Sequence, residues 1–306
     1  MREQTLSGIS EMLSAHGFGV SVFMHSNSCF DIAARSSGRV FLIKVYSNID
    51  SIRPEQAFEL KKLANALNAN ALIVGERTKA FELKEGIVYE RYDIPVVSSG
   101  TFWNFLDMQM PAVKYFKGRM IVEFDSGKLR ERRKKLGMSQ EELAKRLNTT
   151  PESIYRYETG HTGSLEVAQK LEAELGAHLM KNIDISENKV FDEKIFESRL
   201  SDEMLEKVRK LGLDIALFEH APFDAYSVLE RPLFISRGER KTEIAKKAME
   251  IGKAGKALRG RSMILAGEFN KPMSGNVPVI SRDDLTTLSR KKDLSELLEE
   301  KEGKNG

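Results

Sequence analysis

The side chains best suited to act on a polyanion are concentrated in one segment. Between Lys128 and Gly160 there are nine basic and five acidic residues, a net +4, whereas the whole chain of 306 residues carries only +3. The rest of the chain is therefore close to neutral, and any attraction for nucleic-acid phosphates must be regional. Other candidates stand alone. Cys29 is the single cysteine and lies in an apolar stretch before Phe30. That setting suits a buried thiol better than a nucleophile, and one cysteine excludes an internal disulfide or a cysteine-based zinc finger. His25 and His220 fall at matching places in two similar stretches and invite a metal reading. No His, Cys or Asp accompanies either at ligand spacing, so hydrogen-bonded structural histidines are the expectation. Gly252–Gly260, GKAGKALRG, could hold a phosphate, with a flexible basic loop as its expected form. Neither a G-x-x-x-x-G-K-[ST] loop nor a G-x-S-x-G elbow is present.

Elements that must position these residues follow from periodicity. With 41% hydrophobic and 30% charged residues, the composition is that of a soluble globular chain of about two domains. The start lacks an apolar signal core and no run approaches the ~18 apolar residues of a membrane span, so the expected location is cytoplasmic. Residues 4–17 read as an amphipathic helix closed by Gly17, with Leu6, Ile9, Met12 and Leu13 on one face. Strands are expected at Gly19–Met24, Phe30–Ala34 and Val40–Tyr46. After Pro54 comes a helix, Glu55–Leu67, with Phe58, Leu60, Leu63, Ala64 and Leu67 as its apolar face; strands follow at Ala71–Val74 and Ile94–Val97. The stretch from about 196 to 290 repeats this order. Phe23, His25, Phe30 and Asp31 match Phe218, His220, Phe223 and Asp224, and Arg39–Val45 matches Arg231–Arg237. The expected domains are an α/β unit at 1–118, a helical unit at 123–182, a second α/β unit at 187–290 and a flexible charged tail at 291–306.

The helical unit has the most specific pattern. Gly137 supplies the left-handed residue that closes a first helix, and Ser139 with Glu142 forms an S-x-x-E capping box on a second. Asn148-Thr149-Thr150 makes a tight turn, Thr150 caps a third helix with Pro151 at its first position, and Ile154 and Tyr157 face inward. Leu165, Ala168, Leu171 and Leu175 supply the closing helix. This segment resembles the lambda-repressor and Cro (Xre-like) family, the matched positions being Gln140, Glu142, Leu143, Ala144, Leu147, Ser153, Ile154, Tyr157, Glu158 and Gly160. The resemblance implies DNA binding. Gln140 and backbone N–H groups around Thr159–His161 would meet phosphates, with Arg132, Lys134 and His161 in the same footprint. Thr149, Thr150, Pro151, Glu152, Ser153 and Arg156 would face base edges: Arg156 suits guanine O6 and N7, Glu152 a cytosine amino group and Pro151 a thymine methyl. Arg133 and Glu158 match the family's structural ion pair. Tyr155 is open between a backbone contact and a solvated side chain.

The first unit resembles the PD-(D/E)xK nuclease core of archaeal Holliday-junction resolvases. Asp31 occupies the metal-binding aspartate position and Lys44 the lysine position, but Leu42 stands where the second carboxylate is needed. In the second copy Asp224 remains while Phe234 and Ser236 replace the other two. The resemblance therefore implies degenerate nuclease folds, with Asp31 and Lys44 as an ion pair or phosphate contact; Glu55 or Glu59 is the only substitute carboxylate in view. The expected fold class is α/β, restriction-endonuclease-like and duplicated, around a central all-α helix-turn-helix domain. Over its full length the chain resembles archaeal HTH-type transcriptional regulators. The expected function is sequence-specific DNA binding without enzymatic activity, cofactor or metal. Its expected partners are operator DNA, a second copy of the chain and an effector of unspecified chemistry. A nuclease or junction-binding protein and an antitoxin-like interaction protein are the alternatives.

Overall fold

The computed structural model describes residues 2–23, 28–187, 195–197, 200–267 and 272–303. Helix α1 (Arg2–Ala15) leads into strands β1 (Gly19–Val22), β2 (Ile32–Arg35) and β3 (Val40–Asn48), helix α2 (Pro54–Leu67), strands β4 (Asn70–Arg77), β5 (Ile87–Arg91) and β6 (Ile94–Val97), and helix α3 (Ser99–Leu106). A hairpin of β7 (Val113–Phe116) and β8 (Arg119–Val122) precedes α4 (Ser126–Lys135), α5 (Gln140–Arg146), α6 (Pro151–Tyr157), the two-residue strand β9 (Gly163–Ser164) and α7 (Leu165–Leu175). The last third comprises α8 (Glu203–Lys210), β10 (Ala216–Leu217), β11 (Ala225–Val228), β12 (Pro232–Arg237), α9 (Lys241–Leu258), β13 (Arg261–Ala266), β14 (Met273–Ser274), β15 (Val277–Ser281), α10 (Arg282–Thr287) and α11 (Lys291–Gly303).

The chain folds into two compact units. One holds Met1–Val45, Ser51–Leu72 and Ser186–Gly306, the other Tyr46–Asp50 and Ile73–Ile185, so β3 and β4 each begin in the first and end in the second.

The expected repeat is visible in the strand order. The first copy runs β1-β2-β3-β4-β6-β5 and the second β10-β11-β12-β13-β15-β14, with each strand's counterpart in the same place. In both, the first three strands are antiparallel. The strand after the long helix then pairs in parallel with the last core strand. Register agrees at residue level. Asp31 N–H donates to the Ile43 carbonyl at 2.8 Å, and Asp224 N–H to that of Ile235 at 3.0 Å. Phe23 packs edge-on against Phe30 at 5.1 Å, and Phe218 against Phe223 at 5.6 Å. Gly17 and Gly212, with φ of 78° and 94°, turn the chain out of the first helix of each copy into its first strand, a conformation open to glycine at little cost.

Each copy also grips the other within the first unit. Lys62 of α2 donates to the Leu217 carbonyl at 3.1 Å and lies 5.3 Å from the centre of the Phe218 ring. Lys253 of α9 donates to the Val22 carbonyl and lies 5.4 Å from the Phe23 ring. Both carboxylate oxygens of Glu59 accept N–H groups across the same boundary, from Glu219 and His220, each at 2.6 Å. Burial pushes the Glu59 carboxyl above its ordinary value despite those two donors.

Three sequence expectations need correction. Phe58 does not join the apolar face of α2; it is 43% exposed, while Gln56, Glu59 and Lys62 are buried. The helix is covered on a second side, where polar groups find partners in the second copy, so a single-stripe reading assigns the wrong residues. The flexible loop expected at Gly252–Gly260 is instead the last turns of α9 and its left-handed cap. The flexible tail is also helical: α11 buries Leu294 and Leu298 completely, four residues apart on one face. The β7–β8 hairpin lies where the sequence suggested a boundary. His25 falls outside the described residues.

Candidate nucleic-acid interface

In the second unit, α4 to α7 enclose a core of Leu129, Leu143, Ala144, Ile154, Ala168, Leu171 and Leu175, closed by Val122 and Phe124 from the β8 end. β8 pairs with β9, which ties the hairpin to the loop between α6 and α7. Local signals fold as expected. Ser139 Oγ accepts from Glu142 N–H at 3.1 Å while Glu142 Oε2 accepts from Ser139 N–H at 2.7 Å, a complete capping box. Asn148 takes a left-handed conformation in the turn, Thr150 Oγ1 accepts from Ser153 N–H at 3.2 Å, and Pro151 opens α6.

The placement of α6 is fixed from behind by a buried ion pair. Arg133 is bidentate to Glu158, with Nε to Oε1 at 2.6 Å and Nη2 to Oε2 at 3.0 Å. Gln140 Nε2 donates to Glu158 Oε2 at 2.7 Å, and Arg130 donates to the Glu158 carbonyl at 2.9 Å. Burial alone would raise the Glu158 carboxyl. The hydrogen bonds from Arg133 and Gln140, with the charges of Arg133 and Arg130, outweigh it and hold the group below its ordinary value. The one acidic group on the inner side of α6 is thus neutralised internally.

The outer side of α6 is different. Pro151, Glu152, Tyr155, Arg156 and Thr159 are exposed, and spacings of three and four residues put Glu152, Tyr155, Arg156 and Thr159 on one stripe. Tyr155 is 56% exposed and shares the outward side of α6 with Arg156. Its three-residue spacing from Glu152 is the signal in the sequence that places it on this outward stripe. Among the described residues, Lys128, Lys134, Lys135, Lys145 and Arg156 have no ion-pair partner, whereas Arg146 is paired with Glu174 at 2.7 Å.

The sequence-derived contact residues divide into three groups. Glu152, Arg156 and Pro151 are outward on α6, and Lys134 is exposed near the end of α4. Thr150 and Ser153 are engaged with each other, their hydroxyls 3.0 Å apart at the start of α6, and Thr149 is half-buried in the turn. Three more have internal hydrogen bonds: Gln140 to Glu158, Arg132 to the Gly176 carbonyl at 2.7 Å, and His161 Nδ1 to the Arg156 carbonyl at 3.1 Å. A primary amide has two N–H donors and a guanidinium five, so Gln140 and Arg132 keep donors for phosphate while their rotamers are fixed.

The nuclease-like positions in the first unit are closed by the protein itself. Asp31 is fully buried; Oδ1 accepts from Lys44 Nζ at 2.9 Å and Oδ2 from Val45 N–H at 2.8 Å. Lys44 also donates to the Ser28 carbonyl at 2.5 Å, and Leu42 is fully buried in the carboxylate position. In the second copy Asp224 accepts from Arg237 N–H at 2.6 Å and from Lys247 Nζ at 3.0 Å, the lysine now coming from α9. Glu59, the substitute carboxylate, is taken up by Glu219 and His220. Among the described residues no group of three His, Cys, Asp or Glu side chains could hold a metal ion. Nor is any described helix long and apolar enough to cross a membrane.

Comparison with known proteins gives two family matches. The helix-turn-helix model matches residues 129–180, and the PD-(D/E)XK superfamily domain model matches residues 2–111. The chain is 34% identical to the "Putative HTH-type transcriptional regulatory protein" of Archaeoglobus fulgidus over 277 residues, 89% of each chain. A protein of that name from Pyrococcus furiosus is 32% identical, over 97% of this chain and 96% of its own. Another, from Methanocaldococcus jannaschii, is 33% identical, over 98% and 96%. No solved structure matches the chain.

Proposed function

From the premise that the chain belongs to this family of archaeal HTH-type transcriptional regulatory proteins, we propose that it regulates transcription by placing α6 in the major groove of specific DNA sites. The observation that carries this reading is the two-sided character of α6: Ile154 and Glu158 are buried and locked, while Glu152, Tyr155 and Arg156 stand outward on one stripe. Arg156 takes a guanine through paired N–H donors, and Glu152 accepts from a cytosine amino group. Gln140 and Lys134 set the register on phosphates and carry no sequence information. The backbone N–H groups of Thr159, Gly160 and His161, expected to join them, are instead spent on the Arg156 and Tyr157 carbonyls.

Each chain has one such motif, so a palindromic site with half-sites ~34–36 Å apart requires two chains. The nuclease-like copies serve as scaffold in this reading, because the buried Leu42 stands where a second carboxylate would be needed and Asp31 is held by Lys44 and the Val45 N–H. Gel-shift titration of DNA fragments bound by the wild-type protein tests the proposal. Arg156→Ala should weaken a preferred site by about 1–3 kcal/mol and relax preference at one base pair. Equal affinity and equal preference in that variant would remove α6 from the groove.

A further inference from the structure

The duplication sets α9 against β1 and β2 of the first copy and α2 against β10 and β11 of the second, and only the first of these places carries exposed cations without an ion-pair partner among the described residues. Where the C-terminal end of α9 meets β1 and the β2–β3 hairpin there is a cavity of about 650 Å³. Its walls carry Arg35, Lys253, Lys256 and Arg259 with the hydroxyls of Ser36 and Ser37, and no carboxylate lines it. Two of the cations have structural duties: Arg35 donates to the Leu258 carbonyl at 3.0 Å and Lys253 to that of Val22. Lys256 and Arg259 are exposed and have no ion-pair partner among the described residues.

The equivalent place in the other copy is an internal control. α2 and α9 both end in a left-handed cap residue, Asn68 and Arg259, so counting back aligns Lys62 with Lys253 and Asn65 with Lys256. On the opposing wall, strand register aligns Arg35 with Val228 and Gly19 with Asp214. Helix and strands correspond by register in the two copies, yet the second has Asn65, Asn68 and Val228 where the first has Lys256, Arg259 and Arg35, and Asp214 where the first has Gly19. Of the cations only Lys253 has a charged counterpart, the buried Lys62. The fold does not demand the charge. A helix C-terminus contributes roughly half a negative charge, too little to account for four cations. The glycines of the GKAGKALRG segment do have a packing explanation. A Cβ on Gly255 would collide with Ser262 Oγ, and one on Gly260 with Phe234 and the Pro232 carbonyl. Lys256 and Arg259 have none.

We propose that this groove is a binding site for a small phosphate-bearing ligand, with Lys256 and Arg259 as its charged anchors and the Ser36–Ser37 turn supplying hydroxyl donors. The volume lies within the ~300–1,000 Å³ of small-molecule sites and accommodates a nucleotide. Charge-assisted hydrogen bonds from guanidinium and ammonium groups to phosphate oxygens supply the affinity. The site stands apart from the DNA-binding reading and can hold or fail without it.

Isothermal titration of the full-length protein with inorganic pyrophosphate and with ATP tests the site, using the Lys256→Ala/Arg259→Ala double variant and Arg156→Ala as a control. The expected result is saturable binding of both probes by the wild type and by Arg156→Ala, with affinity about tenfold or more weaker in the double variant. The double variant should retain the wild-type thermal midpoint without ligand. Three outcomes overturn the proposal: no binding of either probe at millimolar concentration, unchanged affinity in the double variant, or loss of binding in Arg156→Ala. Should the double variant instead lose DNA affinity while neither probe binds, the groove is a DNA-backbone contact and the small-ligand site is refuted.

Discussion

Lys62 and Lys253 do the same work in opposite directions. Each comes from the long helix of one copy, donates to the last carbonyl of the other copy's first strand, and covers the phenylalanine that follows it. The two copies therefore clasp each other about an approximate two-fold relationship, as subunits of a symmetric dimer would. Their settings differ: Lys62 is buried and also pairs with Glu197 at 3.0 Å, whereas Lys253 is exposed. Lys62→Met is predicted to cost about 1–3 kcal/mol. Lys253→Met should cost less than about 1 kcal/mol. Urea unfolding of the two variants checks the order, and equal losses would mean the clasp is not an energetic contact.

The Arg133–Glu158 pair should dominate the stability of the helix-turn-helix region. Glu158→Ala leaves a buried guanidinium without its partner and is predicted to lower stability by about 3–5 kcal/mol. The pair also sets an acid limit. A carboxyl held below its ordinary 4.5 favours the folded state when ionised. That contribution is complete above pH 4.5 and is lost as pH falls through the lower folded value. Thermal midpoints measured from about pH 7 down to about pH 3 should fall more steeply for the wild type than for Glu158→Gln. Parallel curves would assign the acid sensitivity to other groups.

The two aspartates of the duplicated nuclease-like core should differ in structural weight. Asp31→Ala strands a buried lysine and is expected to cost about 3–5 kcal/mol. Asp224 is partly open to solvent, as is its partner Lys247, so Asp224→Ala should cost on the order of 1 kcal/mol. Denaturant unfolding reads the difference. Supercoiled DNA with Mg²⁺ or Mn²⁺ should be nicked no faster by the wild type than by Asp31→Asn; cleavage that vanished in the variant would restore a catalytic role.

Cys29 should be silent to thiol reagents in the native protein. Burial, with Glu59 adding to it, pushes the thiol well above its ordinary value, so thiolate is scarce and access is blocked. Ellman's reagent should report one thiol only after denaturant is added. Rapid reaction of the folded chain would show that the region around Phe30 opens.

Much of this was legible from local chemistry. Capping box, turn and N-cap of the central motif depend on neighbours a few residues apart, and Ser139, Asn148, Thr150 and Pro151 do in the structure what their types dictate. The repeat was legible because Asp31 and Asp224 occupy the same register in the same strand order. What escaped was set by distant partners. Glu59 and Lys62 are buried because the second copy supplies N–H and carbonyl groups to them, and Phe58 is displaced outward as a result. Gln140 and Arg132 looked like free phosphate ligands until Glu158 and the Gly176 carbonyl came within reach of them in the fold. The basic groove at Lys256 could not be seen in sequence, since its other wall, Arg35, lies more than two hundred residues away.

Whether α6 selects particular DNA sequences is read out by selection of bound fragments from genomic DNA with wild-type and Arg156→Ala protein at two salt concentrations. A recurring inverted repeat is expected for the wild type, bound far more tightly than random DNA, with one position relaxed in Arg156→Ala. Weak, steeply salt-dependent binding with no recurring site, identical in both proteins, would contradict selection by α6.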